Sequence, residues 1–284
     1  MSYRKSGGWT ALYASLCGLA LVLSTTLAAH AEGTLDKIKR TGEFLAGVRY
    51  DFPPVGTVDL SGNPVGFGPD LAKAIADKLG VKVKYVQSTS QNRAPLLLNG
   101  QIDAEIGITT PFRSREETAD FTIPYCWDST TILVHKGDDL DPKDYAPPKK
   151  VATTQGSGNV TVFKRIVPNA DFVLFQEYPD AFAALQNHKI DAVVLNRAAT
   201  GVVLKSDPTL AVGKDIDRDV WAIMVRQDDS KWRTFLNATL QELWASGEYQ
   251  KLYAKWFGEQ PWFPMWSQYG LQPGIGGSQS CCGG

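Results

Sequence analysis

The chain has 284 residues, of which 43% are hydrophobic, 21% charged and 11% aromatic, an ordinary globular composition long enough for one or two domains. With 29 Lys+Arg against 30 Asp+Glu the formal charge is −1, so no basic excess attracts a polyanion and nucleic acid is excluded as a partner. Three histidines and four cysteines, without an HExxH, CxxC or Cys/His cluster, leave no metal centre or histidine-based hydrolase to build, and no cofactor is implied.

Residues 1–31 carry Arg4 and Lys5 but no acid, then a largely apolar run from Thr10 to Leu27, then Ala29-His30-Ala31. This order predicts a cleaved secretory signal peptide and a periplasmic protein. A membrane anchor is the alternative, but Ser15, Gly18, Ser24, Thr25 and Thr26 interrupt the run. Cys17 is a poor lipidation site because the residue before it, Leu16, is large. Beyond the signal, Cys126 stands alone and Cys281-Cys282 lie in a Gly/Ser tail, so no disulfide framework can be drawn and the fold relies on its core.

Strand and helix patterns then alternate. Phe44–Arg49 reads as a strand. Asp70 is placed to cap a helix with Leu71, Ile75 and Leu79 on its apolar face, which Gly80 ends. Val81–Val86 alternates as a strand, Asn92–Asn99 looks helical, and Ile102–Ile108 is an apolar strand carrying Asp103 and Glu105. After a strand-like run at Thr130–His135 the series repeats. Val151–Thr154 is a strand, Gln155–Gly158 a tight loop, Asn159–Val167 a helix, Phe172–Gln176 a strand, Pro179–Asn187 a helix and Ile190–Asn196 a strand. Val220–Val225 is a further strand, and Lys231–Trp244 and Glu248–Trp256 are amphipathic helices. The frame L-x-N-x-x-I-D-A occurs at Leu97–Ala104 and again at Leu185–Ala192, in the same helix-to-strand context.

These patterns predict an α/β protein of two similar lobes with mixed, largely parallel sheets, joined by a two-strand hinge. Residues 32–134 plus 222–266 form the first lobe, 135–221 the second, and 267–284 a flexible tail. Ligands of open α/β sheets sit at the carboxyl ends of strands, so a cleft between lobes is the expected site, closing about the hinge.

Thr34-Leu35-Asp36-Lys37-Ile38, Gly47-Val48-Arg49 and Val65-Gly66-Phe67-Gly68-Pro69-Asp70-Leu71-Ala72 resemble the opening of the periplasmic amino-acid-binding proteins of ABC importers, the family-3 solute-binding proteins. The resemblance continues through Thr89-Ser90-Gln91-Asn92-Arg93, Thr109-Thr110, Arg115, Asp120-Phe121 and Pro124-Tyr125, and ends with Gly247-Glu248-Tyr249 and Lys255-Trp256-Phe257-Gly258. It covers about 34–258. The S-Q-N-R phrase and the Thr110-to-Arg115 spacing look most like the glutamate/aspartate-binding branch. The fold this implies is periplasmic-binding-protein-like II.

Nine residues are candidates for the site: the resemblance implies roles for most of them, while Tyr178 is a candidate cleft aromatic whose alternative is core packing. Arg115 takes the ligand α-carboxylate, a group suited to a bidentate guanidinium, and Thr109 and Thr110 adjoin it. Ser157, in a loop whose N–H groups open a helix, adds a hydroxyl. Arg49, Ser90 and Arg93 face the ligand region in the acidic-amino-acid branch, and the alternative for both arginines is salt bridging within a lobe. Tyr178 and Tyr50 are candidate cleft aromatics. Two departures stand out. Asn196 occupies the position where the family places the aspartate that pairs with the ligand ammonium, and Val55 follows Pro53-Pro54 where many members have an aromatic.

The expected function is a non-catalytic, monomeric receptor that captures a polar or acidic amino acid and delivers it to an inner-membrane ABC permease. Asn196 keeps a dicarboxylate or other organic-anion receptor open. The fold family also resembles cyclohexadienyl dehydratases, but their glutamate general acid is matched here by Asn159, which has no acidic proton to donate.

Overall fold

The computed structural model describes residues 32–261, 263 and 265. The expected signal segment, with Cys17, and the expected tail, with Cys281 and Cys282, lie outside the described residues. No described helix is long and apolar enough to cross a membrane.

The first half runs α1 (Thr34–Thr41), β1 (Glu43–Val48), a small hairpin of β2 (Thr57–Val58) and β3 (Pro64–Val65), α2 (Phe67–Leu79), β4 (Lys82–Gln87), α3 (Arg93–Leu98), β5 (Ala104–Ile106), α4 (Arg113–Glu116) and β6 (Asp120–His135). The second half runs β7 (Lys150–Thr154), α5 (Asn159–Lys164), β8 (Asp171–Phe175), α6 (Tyr178–Gln186), β9 (Ala192–Asn196), α7 (Thr200–Ser206), β10 (Leu210–Val212), β11 (Asp217–Val225), α8 (Ser230–Ala245) and α9 (Glu248–Phe257). The fold is α/β, with one mixed sheet in the order β4-β1-β5-β11-β6-β9-β7-β8, and β10 added on β6.

Each strand series is parallel within itself: β1 pairs with β4 and β5, and β7 pairs with β8 and β9. Between the series run β6 and β11, paired antiparallel from Thr130↔Asp217 to Asp120↔Val225 with two register shifts. The 16-residue β6 then pairs with β9 over Thr130–Leu133, so a single strand belongs to both series.

The repeated L-x-N-x-x-I-D-A frame has one structural meaning at both places. Asp103 donates its N–H to Leu45 O (2.7 Å) and accepts Leu45 N–H on Oδ2 (3.0 Å). Asp191 does the same with Lys150, N–H to O at 2.8 Å and N–H to Oδ2 at 2.6 Å. In both series the aspartate grips the backbone where the next strand enters, which fixes its register. The copies differ in burial. Asp103 is fully buried, holds Lys37 Nζ at 2.8 Å and lies beneath Trp232, whose Nε1 donates to Asp103 O (2.9 Å). Asp191 is exposed.

The described core is rich in rings. Phe67 packs within 5.3–6.1 Å of Tyr125, Tyr249, Tyr253 and Phe257, tying α2 to β6 and α9. Cys126 is a buried free thiol.

Several expected boundaries shift. The helix after Gly66 begins at Phe67 with Gly66 as its N-cap, so Asp70 lies inside the first turn rather than capping it; its Oδ2 holds Lys255 Nζ (2.6 Å) and Trp256 Nε1 (2.7 Å). Gly80 does end that helix, in the left-handed conformation at φ 67° that glycine adopts without strain. The strand expected at Thr130–His135 starts ten residues earlier, at Asp120, and Pro124 and the register shifts hide that half from an alternation pattern. The strand expected at Ile102–Ile108 is short, Ala104–Ile106. The hairpin, α4, α7 and β10 are too short to carry a clear period and are not expected from the pattern, nor is α1, although that helix is amphipathic about Ile38.

The two aspartates of the repeat should differ in cost. Asp103→Ala removes a buried carboxylate that holds half-exposed Lys37 and the Leu45 N–H and should destabilise by about 2–3 kcal/mol, whereas exposed Asp191→Ala should cost about 1 kcal/mol; urea unfolding followed by tryptophan fluorescence measures both.

Candidate functional site

The nine candidate residues meet where the two strand series face each other. Arg49 follows β1 and is 1% exposed. Its guanidinium is bidentate to Asp51, Nε to Oδ1 at 2.7 Å and Nη2 to Oδ2 at 2.6 Å, and Nη1 donates to Ser90 Oγ (3.0 Å). Both partners reach the second series: Ser90 Oγ accepts from Thr154 Oγ1 (3.2 Å), and Asp51 Oδ2 accepts the Tyr178 N–H (3.3 Å). Tyr178 packs against Phe52 at 4.8 Å, and its hydroxyl, pushed up by burial, accepts from Asn159 Nδ2 (3.1 Å).

Arg93 opens α3 and is 4% exposed. Nη1 donates to Thr109 Oγ1 (2.7 Å), and that hydroxyl donates onward to Glu105 Oε2 (2.6 Å). Nη2 donates to Gly156 O (3.2 Å). Arg115, on the short helix α4, places Nη1 on Thr110 O (2.8 Å) and Nη2 on Gly156 O (3.3 Å), with its guanidinium 4.9 Å from the Phe112 ring. Two guanidinium groups therefore share one neutral carbonyl oxygen, and neither has an ion pair among the described residues. Burial, then the charge of Arg115, lowers the Arg93 pKa to about 9, against the pull of Glu105. Burial lowers the Arg115 pKa too, opposed by Glu105 and Asp219.

The loop that supplies this carbonyl needs its glycine. Gly156 has φ 75°, and a Cβ there would lie 2.6 Å from Ser90 O. Ser157 Oγ accepts the Asn159 N–H (3.2 Å), so its hydroxyl braces the start of α5. At the other end of the network Thr110 Oγ1 donates to Asp219 Oδ1 and Asn196 Nδ2 to Asp219 Oδ2, both at 2.8 Å.

The structure thus brings Arg49, Ser90, Arg93, Thr109, Thr110, Arg115, Ser157, Tyr178 and Asn196 into one hydrogen-bonded region. It also adds acids that the sequence reading missed as site members. Asp51, two residues after Arg49, follows the period of an extended segment and was the readable signal. Glu105 is a fully buried acid inside an apolar strand, noted there without a role. Asp219 had no signal at all. Arg49, expected to face an acidic ligand, is neutralised within its own series by Asp51.

The profile of the bacterial extracellular solute-binding proteins, family 3, matches residues 44–259. This chain belongs to that family. It is 29% identical over 274 residues to the glutamate/aspartate import solute-binding protein of Escherichia coli K12, covering 90% of this chain and 89% of that one. Among solved structures, a mutant of ArgBP from T. maritima superposes with a TM-score of 0.75 at 35% identity, covering 80% of this chain and 100% of that one. The ancestral amino acid-binding protein AncCDT-1, a precursor of cyclohexadienyl dehydratase, gives 0.74 at 30% identity, covering 79% and 99%.

The Arg49–Asp51 pair can be tested alone. Asp51→Ala leaves a buried unpaired guanidinium and should cost about 3–5 kcal/mol, while the double change Arg49→Met with Asp51→Leu should recover most of it; denaturant midpoints of the two variants decide.

Proposed function

We propose that this family member captures a polar amino acid between the two strand series and presents it to an inner-membrane ABC permease, as a monomer in the periplasm. The series act as lobes, 32–134 with 222–266 and 135–221, hinged where β6 and β11 cross. Arg115 with Thr110 holds the α-carboxylate, Arg93 supports it or a polar side chain, and Ser157 and the Gly156 loop close from the second lobe.

The observation that carries this reading is the sharing of Gly156 O by buried Arg93 and half-buried Arg115, two cations whose acceptors are all uncharged. An incoming carboxylate exchanges that weak arrangement for charge-assisted bonds. At about 1.5–3 kcal/mol each, two of them supply a large part of the roughly 8 kcal/mol behind micromolar affinity. Arg49 contributes differently. Asp51 already occupies it, so an acidic ligand side chain is accepted rather than required, and glutamate and aspartate are tested beside neutral polar amino acids. The glutamate/aspartate relative and the amino acid-binding AncCDT-1 support the class of ligand. A dehydratase reading finds no support at Asn159, whose amide is tied to Tyr178 Oη and carries no acidic proton.

Titration calorimetry against the common amino acids and C4–C5 dicarboxylates should give one clear amino acid binder. Arg115→Ala should weaken it by about 30-fold or more, the loss expected for truncating a buried charge partner. Unchanged affinity would refute the role given to Arg115, and product formed from prephenate would revive the enzyme.

A further inference from the structure

Asp219 is a buried carboxylate without a cation. It sits on β11 at 7% exposure. Its partners are the Thr110 hydroxyl, the Asn196 amide and the N–H of the adjacent Val220, each at 2.8 Å and each neutral. No Lys, Arg or His forms an ion pair with it among the described residues. Burial pushes its pKa up despite those hydrogen bonds, the mark of a charge incompletely compensated.

The other acids of the region stand differently; Asp217, two residues before Asp219 on β11, repels it and has a buried Oδ1 without a hydrogen-bond partner. Asp51 is bidentate to Arg49. Glu105 Oε2 is held by Thr109, the same hydroxyl that accepts from Arg93, while its Oε1 is buried without a hydrogen-bond partner and its charge supports Arg93 and Arg115. Asp128, in register with Asp219 across the β6–β11 pair, accepts the Ala198 N–H and is driven toward its neutral form, with a pKa of about 7. Asp219 is set apart by its bond to Thr110, the residue that also holds Arg115.

Its position specifies a guest. Thr110 accepts from Arg115 on its carbonyl oxygen and donates to Asp219 from its hydroxyl, so one residue separates a cation lacking an anion from an anion lacking a cation. The complementary molecule carries a carboxylate and an ammonium on neighbouring atoms, as an α-amino acid does. We propose that Asp219 accepts the α-ammonium of the ligand, and that Asn196, through Nδ2 on Oδ2, positions that carboxylate rather than binding the ammonium itself. The proposal rests on the amino-acid reading above and moves ammonium recognition from β9 to the crossing strand β11. Asn196 then loses nothing by being uncharged, because an aspartate there would repel Asp219 from 2.8 Å.

The experiment is calorimetry with two matched pairs: L-glutamate against glutarate, and L-glutamine against glutaramate, each second probe lacking only the α-amino group. In the unmodified protein the amino acid of the bound pair should bind about 30-fold or more tightly than its deamino partner. Asp219→Asn should erase that preference by weakening the amino acid while leaving the deamino probe bound as well as before or better. Adding Asn196→Asp to Asp219→Asn returns a carboxylate to the same pocket and should restore at least part of the preference. Equal affinity of the unmodified protein for both members of a pair overturns the proposal without any variant. So does an Asp219→Asn protein that keeps its preference, or one that loses both probes equally, which is the signature of a structural role. Binding of glutarate with no amino acid bound would instead refute the amino-acid reading, a distinct result.

Discussion

Gathering buried Arg49 and Arg93 with half-buried Arg115 in one network is the constraint on which the rest of the site depends. Guanidinium groups do not give up their protons, so like charges placed together in a poorly solvated region must each be compensated by the chain or by a guest. The compensation is graded. Arg49 has a bidentate carboxylate, Arg93 has one at second hand through Thr109, and Arg115 has backbone carbonyls alone. The gradient runs toward Thr110 and Asp219, and that end is where a charged ligand gains most.

The same network decides how the strand series meet. Gly156 O, Thr154 Oγ1 and the Tyr178 N–H all belong to the second series, and their partners Arg93, Arg115, Ser90 and Asp51 belong to the first. Closing contacts and ligand contacts therefore draw on the same donors. Arg49, by contrast, is paired bidentately with Asp51, whose carboxylate also takes the Tyr178 N–H, so it braces the two series.

How far this was readable from sequence follows from the range of the forces involved. Period, glycine stops and the L-x-N-x-x-I-D-A echo are local, and they marked the strand series and the helix-to-strand turns, while the backbone grip of Asp103 and Asp191 appears only once the strands pair. Arg115, Thr110 and Ser157 sit at strand-to-helix turns, where motif resemblance places them. Asp70 misled because a polar residue beside an apolar period looks like a cap, although the backbone had turned at Gly66 four residues earlier. The first half of β6 escaped because its pairing is irregular and contains Pro124. Asp219 could not be found at all: it stands in a polar stretch, 109 residues from Thr110, and its meaning arises only when two distant strands pair.

Charge balance narrows the guest further. Within the network three arginines face Asp51, Glu105 and Asp219, so the region is formally neutral before anything binds. A zwitterion adds no net charge and matches both free ends at once. A dicarboxylate would bring two negative charges, satisfy Arg93 and Arg115, and leave Asp219 buried beside a second anion. Desolvation makes that last arrangement costly, because Coulomb repulsion at hydrogen-bond distance is screened far less here than in water. The acid on β11 thus does more than hold an ammonium. It penalises anions that lack one, and it lets a site lined with arginines distinguish an amino acid from an organic acid of similar length.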